Sequence, residues 1–146
     1  MSRFRDFGPL PERAIWQGAA VLALDRRGRA LMQLRDADEG VAAPAKWCCF
    51  GGGVEPGESV EAAARREFLE ETGVDISSDV LIPLARFAST ATKDGVLHLY
   101  RLERVLRPED ITLGEGAGFA FLTRDQLAKF DLISNLAEIL ADKYSF

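Results

Sequence analysis

The chain of 146 residues carries a net charge of −5, and 47% of its residues are hydrophobic and 28% charged. This composition is typical of a soluble globular protein, and we expect a single domain over residues 1–146. A negative net charge argues against broad binding to nucleic acids or anionic membranes, because both depend on clustered lysine and arginine. No stretch approaches the roughly 20 apolar residues of a membrane-spanning helix, and residues 1–16 show no secretion signal, so we expect a cytoplasmic protein.

The first half of the chain indicates a β-hairpin followed by a glycine-rich turn. Residues 14–25 are apolar enough for a buried strand, and residues 26–29 favour a turn into a second strand at residues 30–36. A polar loop at residues 37–46 comes next. A short apolar run then leads into the glycines at 51–53, where we expect a turn.

The helix after these glycines has the clearest signals in the sequence. Ser59 is a favourable N-cap, and Glu61 suits the positive N-terminal end of a helix that begins at Val60. Gly73 is placed to end it, so we predict a helix over residues 60–72.

The second half of the chain predicts more strands and two helical segments. Residues 80–90 and 95–106 are rich in β-forming residues and flank a Lys-Asp-Gly turn, which indicates an antiparallel pair. Residues 118–123 predict another strand, residues 124–130 a helical segment, and residues 134–144 a C-terminal helix. The pattern is a mixed sheet with helices packed on it, and it lacks the βαβ alternation of a doubly wound dinucleotide-binding fold.

Two cysteines, Cys48 and Cys49, are adjacent in the sequence. In a strand their side chains point to opposite faces, which argues against a disulfide between them. We therefore expect both to be buried and reduced.

Three glutamates cluster near the end of the predicted helix. Glu67, Glu70 and Glu71 are related as i, i+3 and i+4, so they share an arc of about 100° on one face. An acidic, solvated helix surface is one explanation, because each exposed like-charge pair costs only about 0.2–0.5 kcal/mol. A divalent cation is the other, since Mg²⁺ prefers oxygen ligands and is held by a few carboxylates together with substrate phosphates.

The spacing around these glutamates resembles a known family. Gly52, five residues, Glu58, seven residues and then the run REFLEETGV at 66–74 are similar to the complete Nudix box, with no specified position missing. The order of the strands before and after the box also fits a Nudix domain. The resemblance implies an α/β sandwich of the α/β/α type, in which a central mixed sheet lies between helices.

The resemblance also implies the chemistry and the cofactor. Nudix hydrolases cleave a diphosphate linkage joined to another moiety and depend on Mg²⁺ or Mn²⁺. The glutamates of the box helix hold the metal in that family, which implies this role for Glu67, Glu70 and Glu71. The backbone carbonyl of Gly51 is implied as a further ligand. Glu58 and Arg66 are implied as an ion pair that supports the site, together with the box glycines at 52 and 73.

Two residues are candidates for the general base. A bound cation lowers the pKa of a water molecule, and a nearby carboxylate then accepts its proton. Glu67 is one candidate, and Glu115 is the other because some Nudix enzymes supply a ligand or base from the loop before a late strand. For Glu115 the alternative is an ordinary acid on a surface loop.

Three further residues are candidates for substrate contacts, each with a structural alternative. Arg35 at a strand end is placed to touch a phosphate, or it is a surface arginine. His98, the only histidine, either reaches a ligand or has a structural role. Trp47 either stacks on a base or packs beside the glycines.

We expect a pyrophosphohydrolase that acts on a nucleoside diphosphate derivative, with a nucleoside triphosphate cleaved to the monophosphate and pyrophosphate as the leading example. The alternatives are a catalytically silent nucleotide sensor and a hydrolase of ADP-ribose, nucleotide sugars or capped RNA ends. Nudix enzymes for ADP-ribose or dinucleoside polyphosphates often have a proline or a tyrosine roughly fifteen residues past the box. Residues 87–92, FASTAT, contain neither, which favours a nucleoside triphosphate or a small derivative.

The expected partner is a small nucleotide, with no long nucleic acid and no membrane. A homodimer is implied only by the resemblance, because family members are commonly dimeric. Residues 3–7, RFRDF, fit an edge strand, a dimer contact or a loose tail.

Overall fold

The computed structural model describes residues 3–38, 40, 43–142 and 146. The strands and helices predicted from the sequence occur in the expected order, together with further short strands. The strands are β1 (Arg5–Phe7), β2 (Trp16–Leu24), β3 (Ala30–Leu34), β4 (Trp47–Cys48), β5 (Phe50–Gly53), β6 (Leu81–Ala88), β7 (Gly95–Val105) and β8 (Gly118–Leu122). The helices are α1 (Val60–Thr72), α2 (Arg124–Lys129) and α3 (Leu136–Ala141), with a 3₁₀ turn at Pro108–Asp110.

The strands form one mixed sheet. The main order is β1-β6-β7-β2-β3-β4, with β5 paired to β2 and β8 paired to β3. β1 is parallel to β6, and β2 is parallel to β7, while the other pairs are antiparallel. The predicted hairpin of β2 and β3 and the predicted antiparallel pair of β6 and β7 are both confirmed. The edge strand, one of the three alternatives for residues 3–7, is present as β1.

Alternation along β2 divides the core between the two faces of the sheet. Ala19, Val21 and Ala23 are buried on the face covered by α1, where they pack with Phe68. Leu22 lies on the opposite face and packs with buried leucines of α2 and α3. The sheet thus lies between helices on both sides, which confirms the predicted α/β sandwich.

The helix α1 begins and ends at the predicted residues. The Ser59 Oγ accepts a hydrogen bond from the Ala62 amide at 3.0 Å, which caps the N-terminus. Gly73 adopts a left-handed φ of 73°, and its amide donates to the Leu69 carbonyl. Both ends are specified by local signals. None of the helices in the described part of the chain is long and apolar enough to span a membrane.

The glycines at 51–53 form part of β5, so the predicted turn is wrong. This strand pairs antiparallel with β2, and Gly51 lies opposite Ala20. A Cβ at Gly51 would meet the Ala19 carbonyl oxygen and lie 2.6 Å from the Ala20 Cα. Glycine is therefore required by close packing of the two strands rather than by a turn.

The C-terminal helix is shorter than predicted. Ser134 has a positive φ of 48°, and α3 begins only at Leu136. Asp142 is extended and ends the helix, whereas residues 143 and 144 of the predicted segment lie outside the described residues.

Cys48 and Cys49 are free and buried, as predicted. Burial raises the pKa of the Cys48 thiol to about 11. Cys48 donates a weak hydrogen bond from its Sγ to the Gln33 Oε1 at 3.6 Å, and the Cys49 Sγ lies 3.9 Å from the Met32 Sδ. Both thiols therefore have contacts inside the core.

Candidate active site

A cleft of about 450 Å³ lies next to the glutamate face of α1 and to β5. One part of its lining is acidic and another part is apolar. Its acidic residues are Glu67, Glu70, Glu71 and Glu115, and its large apolar residues include Trp16, Phe87, Leu97, Leu99, Ile133 and Leu136. The cleft thus combines the two surfaces that a molecule with a polar and an apolar end needs.

Arg66 ties the segment before α1 to the glutamates of the helix. Its Nε and Nη2 donate to the two carboxylate oxygens of Glu58 at 2.7 and 2.9 Å, and Nη2 also donates to the Gly53 carbonyl at 3.0 Å. Its Nη1 lies 3.0 Å from Glu67 Oε1 and 3.4 Å from Glu70 Oε2. Hydrogen bonds from Arg66 lower the pKa of Glu58 to about 2. The predicted supporting ion pair is present in the structure.

Glu71 is the most unusual carboxylate of the cleft. It is 8% exposed, and its Oε2 is buried with no hydrogen-bond partner among the described residues. Burial raises its pKa to about 8, and the neighbouring Glu67 and Glu115 add to the shift, while Arg35 opposes it. A buried carboxylate oxygen without a partner is costly, and a cation at this position would supply one.

The carboxylates fit a hard divalent cation by their chemistry. Mg²⁺ and Mn²⁺ both accept carboxylate and carbonyl oxygens. Within the described ranges, no three acidic, histidine or cysteine side chains converge on one point as a ready-formed metal site. Glu67 pairs with Arg66 and is also close enough to Glu71 to raise the pKa of that carboxyl, whereas Glu70 pairs with Arg66.

Most of the predicted site residues meet at the cleft. Gly51, Arg35 and Glu115 line it together with the three box glutamates. Arg35 and Glu115 also border a smaller adjoining pocket of about 50 Å³, in which Glu71 takes part. Residues that are far apart in sequence are thus brought to one place by β3, β5, α1 and the loop before β8.

His98 lines the cleft, and contacts with the protein itself hold it there. It is 7% exposed, and its Nδ1 lies 3.1 Å from the Gly18 carbonyl oxygen. Phe4 packs edge-on against the imidazole, with ring centroids 5.2 Å apart. Burial lowers the pKa of His98. These contacts support the structural role, and a substrate contact by His98 stays a prediction.

The structure does not bring Trp47 to the cleft. Its ring packs against Phe130, with centroids 5.7 Å apart, and it is absent from the lining residues. Trp16 lines the cleft instead, where its ring covers the glycine pair Gly18 and Gly53 of β2 and β5. The sequence held one signal for this position of Trp16. Gly18 follows it by two residues, so it lies on the same strand face and leaves room for the indole ring.

Gln33 is a second residue for which the sequence predicted no role. It lies in β3, is 6% exposed, and its Nε2 donates to the Glu115 carbonyl at 3.0 Å. A polar residue inside a strand otherwise buried along its length was the available signal.

Comparisons with known proteins agree with this fold and site. A family model described as the NUDIX domain matches residues 15–143. The chain is 30% identical over 125 residues to the nucleoside triphosphatase NudI of Escherichia fergusonii, which covers 80% of this chain and 89% of that protein.

Solved structures share the same architecture. The MutT protein of Methanosarcina mazei superposes with a TM-score of 0.70 at 20% identity, over 89% of this chain and 93% of that one. The dihydroneopterin triphosphate pyrophosphohydrolase of Escherichia coli gives a TM-score of 0.69 at 20% identity, over 92% and 97% of the two chains. At these identities the likeness concerns the fold. Because the family model spans most of the chain and NudI is similar over nearly its full length, the chain belongs to the Nudix family and is a hydrolase of acid anhydrides.

Proposed function

We propose that this hydrolase cleaves nucleoside triphosphates to the monophosphate and pyrophosphate with the help of Mg²⁺ or Mn²⁺. The observation that carries the proposal is the Oε2 of Glu71, which is buried without a hydrogen-bond partner among the described residues and lies in an acidic cleft next to Glu67 and Glu115. Ionising Glu71 without a partner at this depth is costly, which is why burial raises its pKa, and a bound cation would offset that cost.

The carboxylates of Glu67, Glu70 and Glu71 and the carbonyl of Gly51 would hold the cation. When bound, the cation neutralises charge on the diphosphate linkage and makes an attacking water more acidic. Glu67 and Glu115 are the two candidates for accepting the proton from that water. Arg66 holds Glu67 in place, and Arg35 offers a positive charge to a phosphate at the cleft.

The apolar part of the cleft would receive the nucleoside. Trp16 and Phe87 supply aromatic surface there, and Leu97 and Leu99 supply aliphatic surface. A volume of about 450 Å³ is in the range of sites for one small ligand. The similarity to a nucleoside triphosphatase supports the same substrate class.

A sensor that binds nucleotide without turnover would be favoured by a missing box glutamate, and all three are present. Residence in the cytoplasm and assembly as a homodimer stay predictions.

The test is product release from a panel containing nucleoside triphosphates, ADP-ribose, nucleotide sugars and dinucleoside polyphosphates, with Mg²⁺ and with EDTA. We expect Mg²⁺-dependent release of monophosphate and pyrophosphate from nucleoside triphosphates. Preferential turnover of another class would overturn the substrate assignment, and binding without turnover across the panel would favour the sensor.

A further inference from the structure

The loop that carries Glu115 is tied to the protein on both of its sides. The Gly114 amide donates to the Glu71 carbonyl at 2.8 Å, and the Ala117 amide donates to the Leu34 carbonyl at 2.9 Å. Between these two anchors, the Glu115 carbonyl accepts a hydrogen bond from the Gln33 Nε2 at 3.0 Å. The amide of Gln33 thus reaches the centre of the loop.

Gln33 uses both ends of its buried amide. Its Oε1 accepts from the Cys48 Sγ at 3.6 Å, while its Nε2 donates to the loop. Burial of an amide is favourable only when its polar atoms are paired, so these contacts fix the side chain in one position. β4 and β8 flank β3 and place Cys48 and Phe119 opposite Gln33.

Gly116 fits closely over this amide. It has a left-handed φ of 95°, and a Cβ there would lie 2.8 Å from the Gln33 Nε2 and 2.9 Å from the Leu34 carbonyl. Glycine therefore allows the loop backbone to rest directly on the Gln33 side chain.

We propose that Gln33 is a positioning residue that holds the Glu115 carboxylate beside Glu71 through the loop backbone. This proposal rests on the proposed function of the cleft. Glu115 shares the smaller pocket with Glu71, so the position of its loop decides how close the two acidic side chains lie. The neutral amide of Gln33 holds the loop backbone without pairing with the carboxylates. A lysine or arginine at position 33 would pair with them instead.

The first test is Gln33→Leu, which keeps a similar volume and removes both hydrogen bonds. We expect kcat with Mg²⁺ and a nucleoside triphosphate to fall about tenfold or more, because small displacements of reacting groups have large effects on rate. KM should change less than about threefold, since Gln33 borders only the smaller adjoining pocket and does not line the main cleft that would receive the nucleoside. Gln17→Leu is the matched control, because Gln17 is an exposed strand glutamine.

A double-mutant cycle with Glu115→Gln separates positioning from general destabilisation. If Gln33 acts through Glu115, Gln33→Leu has no further effect on kcat once the Glu115 carboxylate is gone. Independent, multiplying effects of the two substitutions would overturn the proposal, as would an unchanged kcat in Gln33→Leu.

Hydrogen exchange gives a readout that does not depend on turnover. In Gln33→Leu the amides of residues 112–117 should exchange faster, whereas those of α1 should keep their wild-type rates. Equal exchange of the loop in both proteins overturns the proposal even if the wild type shows no hydrolysis. If the wild type shows no hydrolysis, the proposed function is contradicted, and hydrogen exchange alone then decides whether Gln33 positions the loop. If Gln33→Leu does not fold, Gln33→Met replaces it, because the unbranched methionine side chain has a similar length and lacks a donor for the Glu115 carbonyl.

Discussion

The carboxylate of Glu67 packs directly on the backbone of Gly52. A Cβ at position 52 would lie 2.5 and 2.6 Å from the two carboxylate oxygens of Glu67. The first glycine of the box therefore leaves the space that a box glutamate occupies, and the two positions depend on each other.

Gly52→Ala should displace Glu67 from its place beside Arg66. We expect kcat/KM to fall about a hundredfold, because the reacting geometry is disturbed. Overpacking should also lower the free energy of unfolding by about 1–3 kcal/mol. Steady-state kinetics and urea unfolding measure the two effects. Gly118→Ala is the control, because a Cβ at Gly118 meets nothing within 4 Å, and equal losses in the two variants would contradict the account.

The raised pKa of Glu71 predicts that the metal-free protein becomes less stable as the pH rises. Its folded-state pKa of about 8 lies above the ordinary value of 4.5, so its contribution to stability is fully present below pH 4.5. That contribution is lost as the pH rises to about 8. In EDTA we expect the free energy of unfolding to fall by roughly 2–5 kcal/mol across this range. Denaturant unfolding at a series of pH values measures it.

Divalent cation should remove most of this decline, because it binds the ionised form of the folded protein. Glu71→Gln has no charge to bury, so its stability should change less between pH 4.5 and 8 and respond less to Mg²⁺. Parallel pH profiles for wild type and Glu71→Gln would show that Glu71 is not the buried acid described here.

The low pKa of Glu58 predicts the opposite effect of pH on stability, because this carboxylate stabilises the folded protein only while it is ionised. Arg66 holds its pKa near 2, below the ordinary value of 4.5, so its stabilising effect is present above pH 4.5 and is lost as the pH falls through about 2. The melting temperature of the wild type should therefore drop more steeply between pH 4.5 and 2 than that of Glu58→Gln. Glu12→Gln, a change at an exposed residue, should follow the wild type. A Glu58→Gln profile that matches the wild type refutes this prediction.

Features with local causes were predictable from the sequence. The ends of α1 follow from Ser59 and Gly73, and the hairpins follow from apolar runs on either side of short turns. The spacing of the box placed Glu67, Glu70 and Glu71 on one face, and the structure has all three at the cleft.

Features that depend on distant contacts were not predictable in the same way. Glycine disfavours strands, so nothing local indicated that β5 would pair with β2. Of the two tryptophans, Trp16 lies at the cleft and Trp47 packs elsewhere, because the choice depends on which strands become neighbours. The contact of Gln33 with Glu115 spans 82 residues of sequence and likewise follows only from the sheet order.

A pair of hydroxyl residues joins two walls of the cleft. The Thr90 amide donates to the Ser134 Oγ at 3.0 Å, and the two hydroxyl oxygens are also 3.0 Å apart. Ser89 and Ala91 on one side and Ile133 on the other line the cleft directly. The pair therefore connects the loop after β6 with the segment before α3.

Ser134→Gly should loosen these walls while preserving the left-handed backbone at position 134. We expect KM for a nucleoside triphosphate to rise about threefold to tenfold with little change in kcat, because walls that are no longer joined must be ordered when the substrate binds. Ser78→Gly is the matched control in an exposed turn. A KM equal to that of the wild type would mean that the pair does not shape the substrate site.

We propose above that the glutamates of α1 hold a divalent cation for hydrolysis. The most direct measurement is the rate of pyrophosphate release from a nucleoside triphosphate against Mg²⁺ concentration, for wild type, Glu71→Gln and Glu61→Gln. Glu61 lies on the same helix in its first turn, outside the cleft lining. We predict saturable Mg²⁺ activation in wild type and Glu61→Gln, and a rate at least about a hundredfold lower in Glu71→Gln. Equal Mg²⁺ activation in all three proteins would contradict the account.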